Sequence, residues 1–108
     1  MTFRQIVLYV DALRPNPFEE STKLSWLCEA DGLVRAEVLG QSASLIPQSI
    51  LGTDTPVVSS PYVRLYSYYL LAMIDLFSSD YDRYKISSQM FEDAMQSYAK
   101  KYQRTGEI

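Results

Sequence analysis

The chain has 108 residues, 47% of them hydrophobic, and a formal net charge of −3. This length and composition are those of one globular domain, residues 1–108, which is long enough to bury a core without disulfides or a metal. The mild acidity disfavours a nucleic-acid partner, because phosphate binding needs clustered lysine and arginine.

The first helix is predicted over residues 3–13. Thr2 and Gln5 have the spacing of a capping box, in which each side chain bonds the other residue's backbone amide. Pro15 and Pro17 end the helix, since a proline disfavours the α conformation in the residue before it. An apolar stripe recurs at helical spacing: Ile6, Val7, Val10 and Leu13.

A second helix is predicted over residues 19–39, with Gly40 at its C-terminal end. Its apolar face consists of Leu24, Leu27, Ala30, Val34 and Val38. Asp31 falls inside this stripe, and a buried carboxylate is costly unless it is hydrogen-bonded or paired. The sequence therefore predicts a buried structural Asp31 that is bound by an arginine or a tyrosine hydroxyl from another helix.

Residues 41–60 are rich in serine, glutamine, glycine, proline and threonine. Either a short hairpin or an irregular structured loop fits this composition. The segment is long for a helix–helix connection, which favours a functional loop. Four apolar residues are interface candidates, because they are too apolar to serve only as solvent-facing positions: Leu45, Ile46, Ile50 and Leu51.

Two further helices are predicted over residues 61–77 and 80–103. Ser60 is a suitable N-cap for the third helix, with Pro61 at its first position, and Ser79 is the expected cap of the fourth. The connection between these two helices is short, which favours antiparallel packing. The predicted fold is therefore all-α, with about four helices in a small antiparallel bundle.

One side of the third helix departs from the amphipathic pattern. Leu71 lies there among Arg64, Ser67, Asp75 and Ser78, with Tyr68 beside it. Such an apolar residue on a polar side is a candidate subunit contact, so Arg64, Tyr68, Leu71 and Asp75 are predicted interface residues. Arg104 is added to them, because it lies in the C-terminal segment 103–108, which alone has almost nothing to bury and is expected to become ordered only on a partner. Residues 105–108 are predicted to be a flexible tail.

Residues that usually carry catalysis or bind metals are scarce. The chain has no histidine, so its one cysteine, Cys28, has no histidine base to activate it. No glycine-rich phosphate loop is present, and Asp80, Asp82 and Asp93 lack the glycine and terminal glutamate of a calcium loop. The nine tyrosines favour core packing over base stacking. No enzyme activity, cofactor or metal site is predicted.

The apolar runs of the sequence do not have the features of a signal peptide or of a membrane-spanning helix. The N-terminal apolar run, 6–10, lacks a small-residue cleavage site, and the longest apolar run, 68–74, is far below the roughly 20 residues that cross a bilayer. A protein that is neither secreted nor inserted in a membrane is expected.

Four groups of residues together resemble a family of short tailed-phage and prophage proteins, the head–tail connector or neck proteins. The first two are Tyr9-Val10-Asp11 with Arg14-Pro15-Asn16, and Lys23 to Leu27 with Glu29-Ala30-Asp31-Gly32. The others are Pro61 to Tyr66 with Tyr69-Leu70 and Ala72-Met73-Ile74-Asp75, and Tyr81 to Tyr84 with Phe91 and Tyr98 to Arg104. Cys28 and the Ile86-Ser87 pair depart from the family's pattern.

This resemblance implies a helical subunit that forms a ring beneath the portal protein, completes the head and receives the tail. The implied partners are the portal, other neck or tail subunits and further copies of the chain, with no membrane and no specific nucleic acid. The implied location is the virion neck and the host cytoplasm, and a monomer in isolation is compatible with it. The alternative is a small helical adaptor or regulatory module that binds one protein partner.

Overall fold

The structure, a computed structural model, describes all 108 residues, and its regular elements are all helical. The four α-helices are α1, Phe3–Leu13; α2, Glu20–Leu33; α3, Arg64–Phe77; and α4, Tyr81–Thr105. A π-helical turn, Val34–Val38, continues α2, and a 3-10 turn, Ala43–Leu45, lies in the following loop. The all-α prediction is confirmed, and residues 41–60 form a loop rather than a hairpin.

The observed start of α1 agrees with the start predicted from the sequence, whereas the observed start of α3 does not. The Thr2 hydroxyl accepts the Gln5 amide and the Gln5 side chain accepts the Thr2 amide, which is the predicted capping box. The prediction that Pro61 opens the third helix under a Ser60 cap is wrong. Residues 59–66 instead make successive i to i+3 turns, and α3 begins at Arg64 without a side-chain cap.

The start of α4 also differs from the prediction. Asp80, not Ser79, is the N-cap, and its carboxylate accepts the Arg83 amide. Ser79 has a φ of 59° and so forms the bend between α3 and α4. Gly40 has a φ of 66°, the left-handed conformation that commonly follows a helix, in agreement with its predicted place at the end of the second helix.

Helix α3 is the centre of the bundle and contacts the other three helices. Tyr62 packs on Tyr98 and Tyr69 on Phe91, with ring centroids 5.7 and 4.9 Å apart. The later residue on the α3 side therefore contacts the earlier residue of α4, so the two helices are antiparallel. On its other sides α3 runs alongside α1 in the same direction and antiparallel to α2, as in an up-and-down bundle.

The core consists of the apolar stripes that these helices turn toward one another. Its fully buried large side chains include Phe3, Ile6, Leu27, Leu65, Tyr66, Leu70, Ile74 and Tyr98. Phe3 and Tyr66 meet edge to face at 5.9 Å, an arrangement favoured by the ring quadrupoles. None of the helices combines the length and apolar character that a membrane crossing requires.

Candidate interaction surface

Asp31 lies at the junction of α2, α3 and the loop, and its side chain is almost completely buried, with the residue 3% exposed. One carboxylate oxygen accepts hydrogen bonds from the Tyr66 hydroxyl at 2.7 Å and the Val57 amide at 3.1 Å. The other accepts the Arg35 guanidinium at 2.8 Å. The tyrosine comes from another helix, as the sequence suggested, whereas the arginine lies four residues on in the same helical segment.

The Tyr66 hydroxyl extends this cluster to the loop, because it also accepts the Val58 amide at 3.3 Å. Burial, and then the neighbouring charge of Asp31, raise the pKa of the Tyr66 hydroxyl above its ordinary value. The hydroxyl therefore remains a hydrogen-bond donor to Asp31 throughout the physiological pH range. The cluster fixes the end of the loop against α2 and α3.

A second attachment joins the loop to the N-terminus of α1. The first amides of a helix have no partner within the helix. Here the Phe3 amide donates to the Asp54 carbonyl at 3.0 Å, and the Arg4 amide to the Gly52 carbonyl at 2.9 Å. The turn that supplies these carbonyls is closed by the Leu51 amide, which donates to the Asp54 carboxylate at 2.8 Å. The loop is thus held at two separate places.

The four apolar loop candidates divide into two pairs. Ile46 and Ile50 are half-buried against α2, where Ile46 lies beside Gly32 and Ile50 lines a hollow with Leu24 and Cys28. Their role in the monomer is to anchor the loop. Leu45 and Leu51 are 65% and 67% exposed. The loop therefore holds two leucine side chains in solvent on a fixed support.

Asp75, which was predicted to be an interface residue, is not available at the surface of the monomer. The residue is 1% exposed, its carboxylate pairs with the Arg14 guanidinium, and it accepts the Ser87 hydroxyl at 2.8 Å. The end of α1 and the start of α4 thus approach α3 from two sides and cover this polar position. Ser67, from the same predicted polar side, is also buried.

A third buried polar cluster was not predicted. The Lys23 ammonium is bound by both carboxylate oxygens of Asp11 at 2.9 Å and by the Asn16 side-chain oxygen at 3.3 Å. Lys23 is 4% exposed. It lies four residues before Leu27 on the apolar stripe of the second helix, so the argument applied to Asp31 would have found it. The cluster fixes the short connection between α1 and α2.

Of the other predicted interface residues, Arg64 and Arg104 are exposed, and Tyr68 and Leu71 are half-buried on α3. Six further large apolar or aromatic residues are exposed on the neighbouring helices: Leu8, Tyr9 and Leu13 on α1, and Tyr81, Ile86 and Met90 on α4. Leu13 was predicted to lie in the apolar stripe of the first helix but is 57% exposed, whereas the other five lie outside the stripes from which the core was predicted. An open groove of about 410 Å³ lies where α1 meets the start of α3, lined by Met1, Tyr9, Ser60, Pro61, Val63, Arg64 and Ser67.

The Cys28 thiol is expected to react slowly with alkylating reagents. Burial, followed by the negative charges of Asp31 and Glu29, raises the pKa of the Cys28 thiol, and its sulfur lies 3.5 Å from the Pro47 carbonyl oxygen. A raised pKa leaves less of the reactive thiolate at any given pH below it. Iodoacetamide should therefore modify the folded protein at pH 8 several times more slowly than the urea-unfolded protein. Mass spectrometry over time measures both rates, and equal rates would contradict the raised pKa.

The described side chains bring together no group of three or more His, Cys, Asp or Glu that could hold a metal ion. All three buried carboxylate or ammonium clusters have their polar atoms satisfied within the chain. No protein-family model, no curated protein and no solved structure matches the chain.

Proposed function

We propose that this chain is a non-enzymatic structural subunit that acts by binding other proteins, and specifically a head–tail connector subunit of a tailed phage or prophage. In this role many copies form a ring at the portal vertex. The observation that supports contact as the function is the pair of exposed leucines, Leu45 and Leu51, on a loop held at two places. Because the loop is already held in place, little binding free energy is lost in ordering it when a partner binds.

The buried polar clusters support the structural part of this proposal. Asp31, Asp75 and Lys23 each join separate parts of the chain, and none of them lies in an open cleft where a substrate could reach it. In this proposal they act as internal ties that keep the surfaces of a subunit in fixed positions. The finer identification as a connector comes from the sequence resemblance, which covers most of the chain outside residues 41–60.

The portal itself provides the test. Purified cognate portal rings are mixed with the protein, and bound copies per ring are counted by native mass spectrometry and electron microscopy. We expect many copies on each portal. Leu51→Asp should weaken binding without unfolding the protein, because the side chain is exposed, whereas Gln96→Asp, an exposed change on α4, should bind like the parent.

A protein that does not bind its portal at all is not a connector, and the adaptor interpretation then replaces it. A portal that binds the parent and the Leu51→Asp variant equally would keep the connector function and show that the loop is not a contact of the assembled complex.

A further inference from the structure

The loop covers the side of α2 that faces away from the centre of the bundle. Cys28 and Gly32, which touch the loop, are about 100° and 140° around the helical wheel from the fully buried Leu27. Asp31 and its bond to Tyr66 mark the side of α2 that meets α3. The exposed leucines of the loop therefore lie at one outer side of the molecule.

The opposite side of α3 forms the floor of a second surface. Tyr66 and Tyr69 face α2, and by the helical period Tyr68 and Leu71 point away from it. Asp75, on the same strip as Tyr68 and Leu71, receives Arg14 from the end of α1 and Ser87 from α4. Helices α1 and α4 therefore border this strip of α3 on its two sides. We call this strip of α3, together with the helix faces that border it, the α1/α4 groove.

The α4 wall of this groove changes from apolar to basic along its length. A stripe with helical spacing runs beside Ser87 and consists of Ile86, Met90, Asp93, Ser97, Lys101 and Arg104, so a single acidic residue separates its apolar part from its basic part. Ile86 and Met90 are exposed, as is Tyr9 on the α1 wall. Arg64 lies at the basic end, on the first turn of α3, and it forms no ion pair within the chain.

The charges of the two surfaces are complementary. Residues 19–60, which contain α2 and the loop, have six acidic residues against two basic ones, a formal charge of −4. Arg35 is paired with the buried Asp31, Lys23 with Asp11, and Glu20 with Arg4. The negative charge of this surface is therefore carried by four exposed residues: Glu19, Glu29, Glu37 and Asp54. The last turns of α4, residues 97–105, have three basic residues and no acidic one. Lys101 donates to the carbonyls of Glu107 and Ile108, so Lys100 and Arg104 are the bases of these turns that face solvent. An acidic surface with exposed leucines thus lies opposite a groove with apolar walls and a basic end.

We propose that the loop of one copy, through Leu45 and Leu51, docks in the α1/α4 groove of a second copy of this chain. This contact is heterologous, because two different surfaces meet, and such contacts repeat from subunit to subunit and close into a ring when the rotation allows. The occupant is a second copy since the chain itself carries both complementary surfaces on opposite sides. The inference rests on the proposed connector function, for which it names the contact between ring neighbours.

A mixing experiment separates this contact from other modes of association. Leu51→Asp disables the loop and leaves the groove intact, and Met90→Asp does the reverse. Small-angle scattering over a dilution series from about 1 mM should show the wild-type mass rising above that of a monomer, with each variant remaining monomeric. An equimolar mixture of the two variants should form a dimer and nothing larger, because only one intact loop–groove pair is present.

The matched control is Gln96→Asp, an exposed change on the other flank of α4, which should associate like the wild type. Circular dichroism establishes that each variant is folded, and Leu45→Asp and Ile86→Asp replace any variant that is not. The inference is overturned if the mixture stays monomeric, if either variant associates like the wild type, or if the wild type remains monomeric at the highest concentration.

These outcomes are distinguishable from failure of the proposed function. A protein that binds the portal but shows no loop–groove association overturns only the neighbour contact. A protein that associates through the loop and groove but ignores the portal overturns only the connector function.

Discussion

Asp31→Ala is expected to lower the free energy of unfolding by about 3 kcal/mol, far more than a typical surface substitution. The change leaves the buried Tyr66 hydroxyl and the Val57 amide without their acceptor. Arg35 contributes less to the loss, because its side chain is partly exposed and can turn to water. Urea denaturation followed by circular dichroism measures the difference.

Two companion variants identify the cause of that loss. Asp31→Asn keeps the side-chain volume and one acceptor oxygen, so it should cost clearly less than Asp31→Ala. Tyr66→Phe removes the hydroxyl that donates the shortest hydrogen bond in the cluster. In a double-mutant cycle the Asp31→Ala and Tyr66→Phe effects should be coupled by more than about 1 kcal/mol. Simple additivity would show that the hydrogen bond contributes little to stability.

Asp75→Ala is expected to destabilise the protein by about 2 to 3 kcal/mol. The carboxylate is the partner of both Arg14 and the buried Ser87 hydroxyl, so its removal leaves a polar group in the core without an acceptor. Arg14 is partly exposed and can regain water, which keeps the loss below that of a fully buried pair. Thermal and urea unfolding measure the change.

Asp80→Ala is the matched control for this variant. Asp80 lies five residues after Asp75, in the connection between α3 and α4, but it is half-exposed and caps α4, so its loss should cost about 1 kcal/mol. Equal losses for Asp75→Ala and Asp80→Ala would mean that the Arg14–Asp75–Ser87 cluster adds nothing beyond a helix cap.

Features set by neighbouring residues were predictable from the sequence. The capping box of α1 depends on two residues three apart, and its prolines follow directly, so both ends of this helix were placed correctly. Asp31 could be identified as buried because a single charge interrupted a regular apolar stripe. In each case one rule of local geometry was enough.

Features that depend on distant partners were not predictable in this way. Arg14 and Asp75 are 61 residues apart in the chain, so nothing near Asp75 indicates that α1 and α4 cover it. The start of α3 was misplaced for a related reason. Ser60 and Pro61 form a good helix start by composition, but the chain makes a series of turns there while it passes from the loop to the bundle.

The attachment of the loop to the N-terminus of α1 has a consequence for the order of events during synthesis. The amides of Phe3 and Arg4 are among the first to leave the ribosome, yet their acceptors are the carbonyls of Asp54 and Gly52. Half of the chain must be made before this helix end acquires its partners. Until then these two amides have only water as a partner, and the N-terminal turn of α1 is completed by residues that are synthesised long after its own.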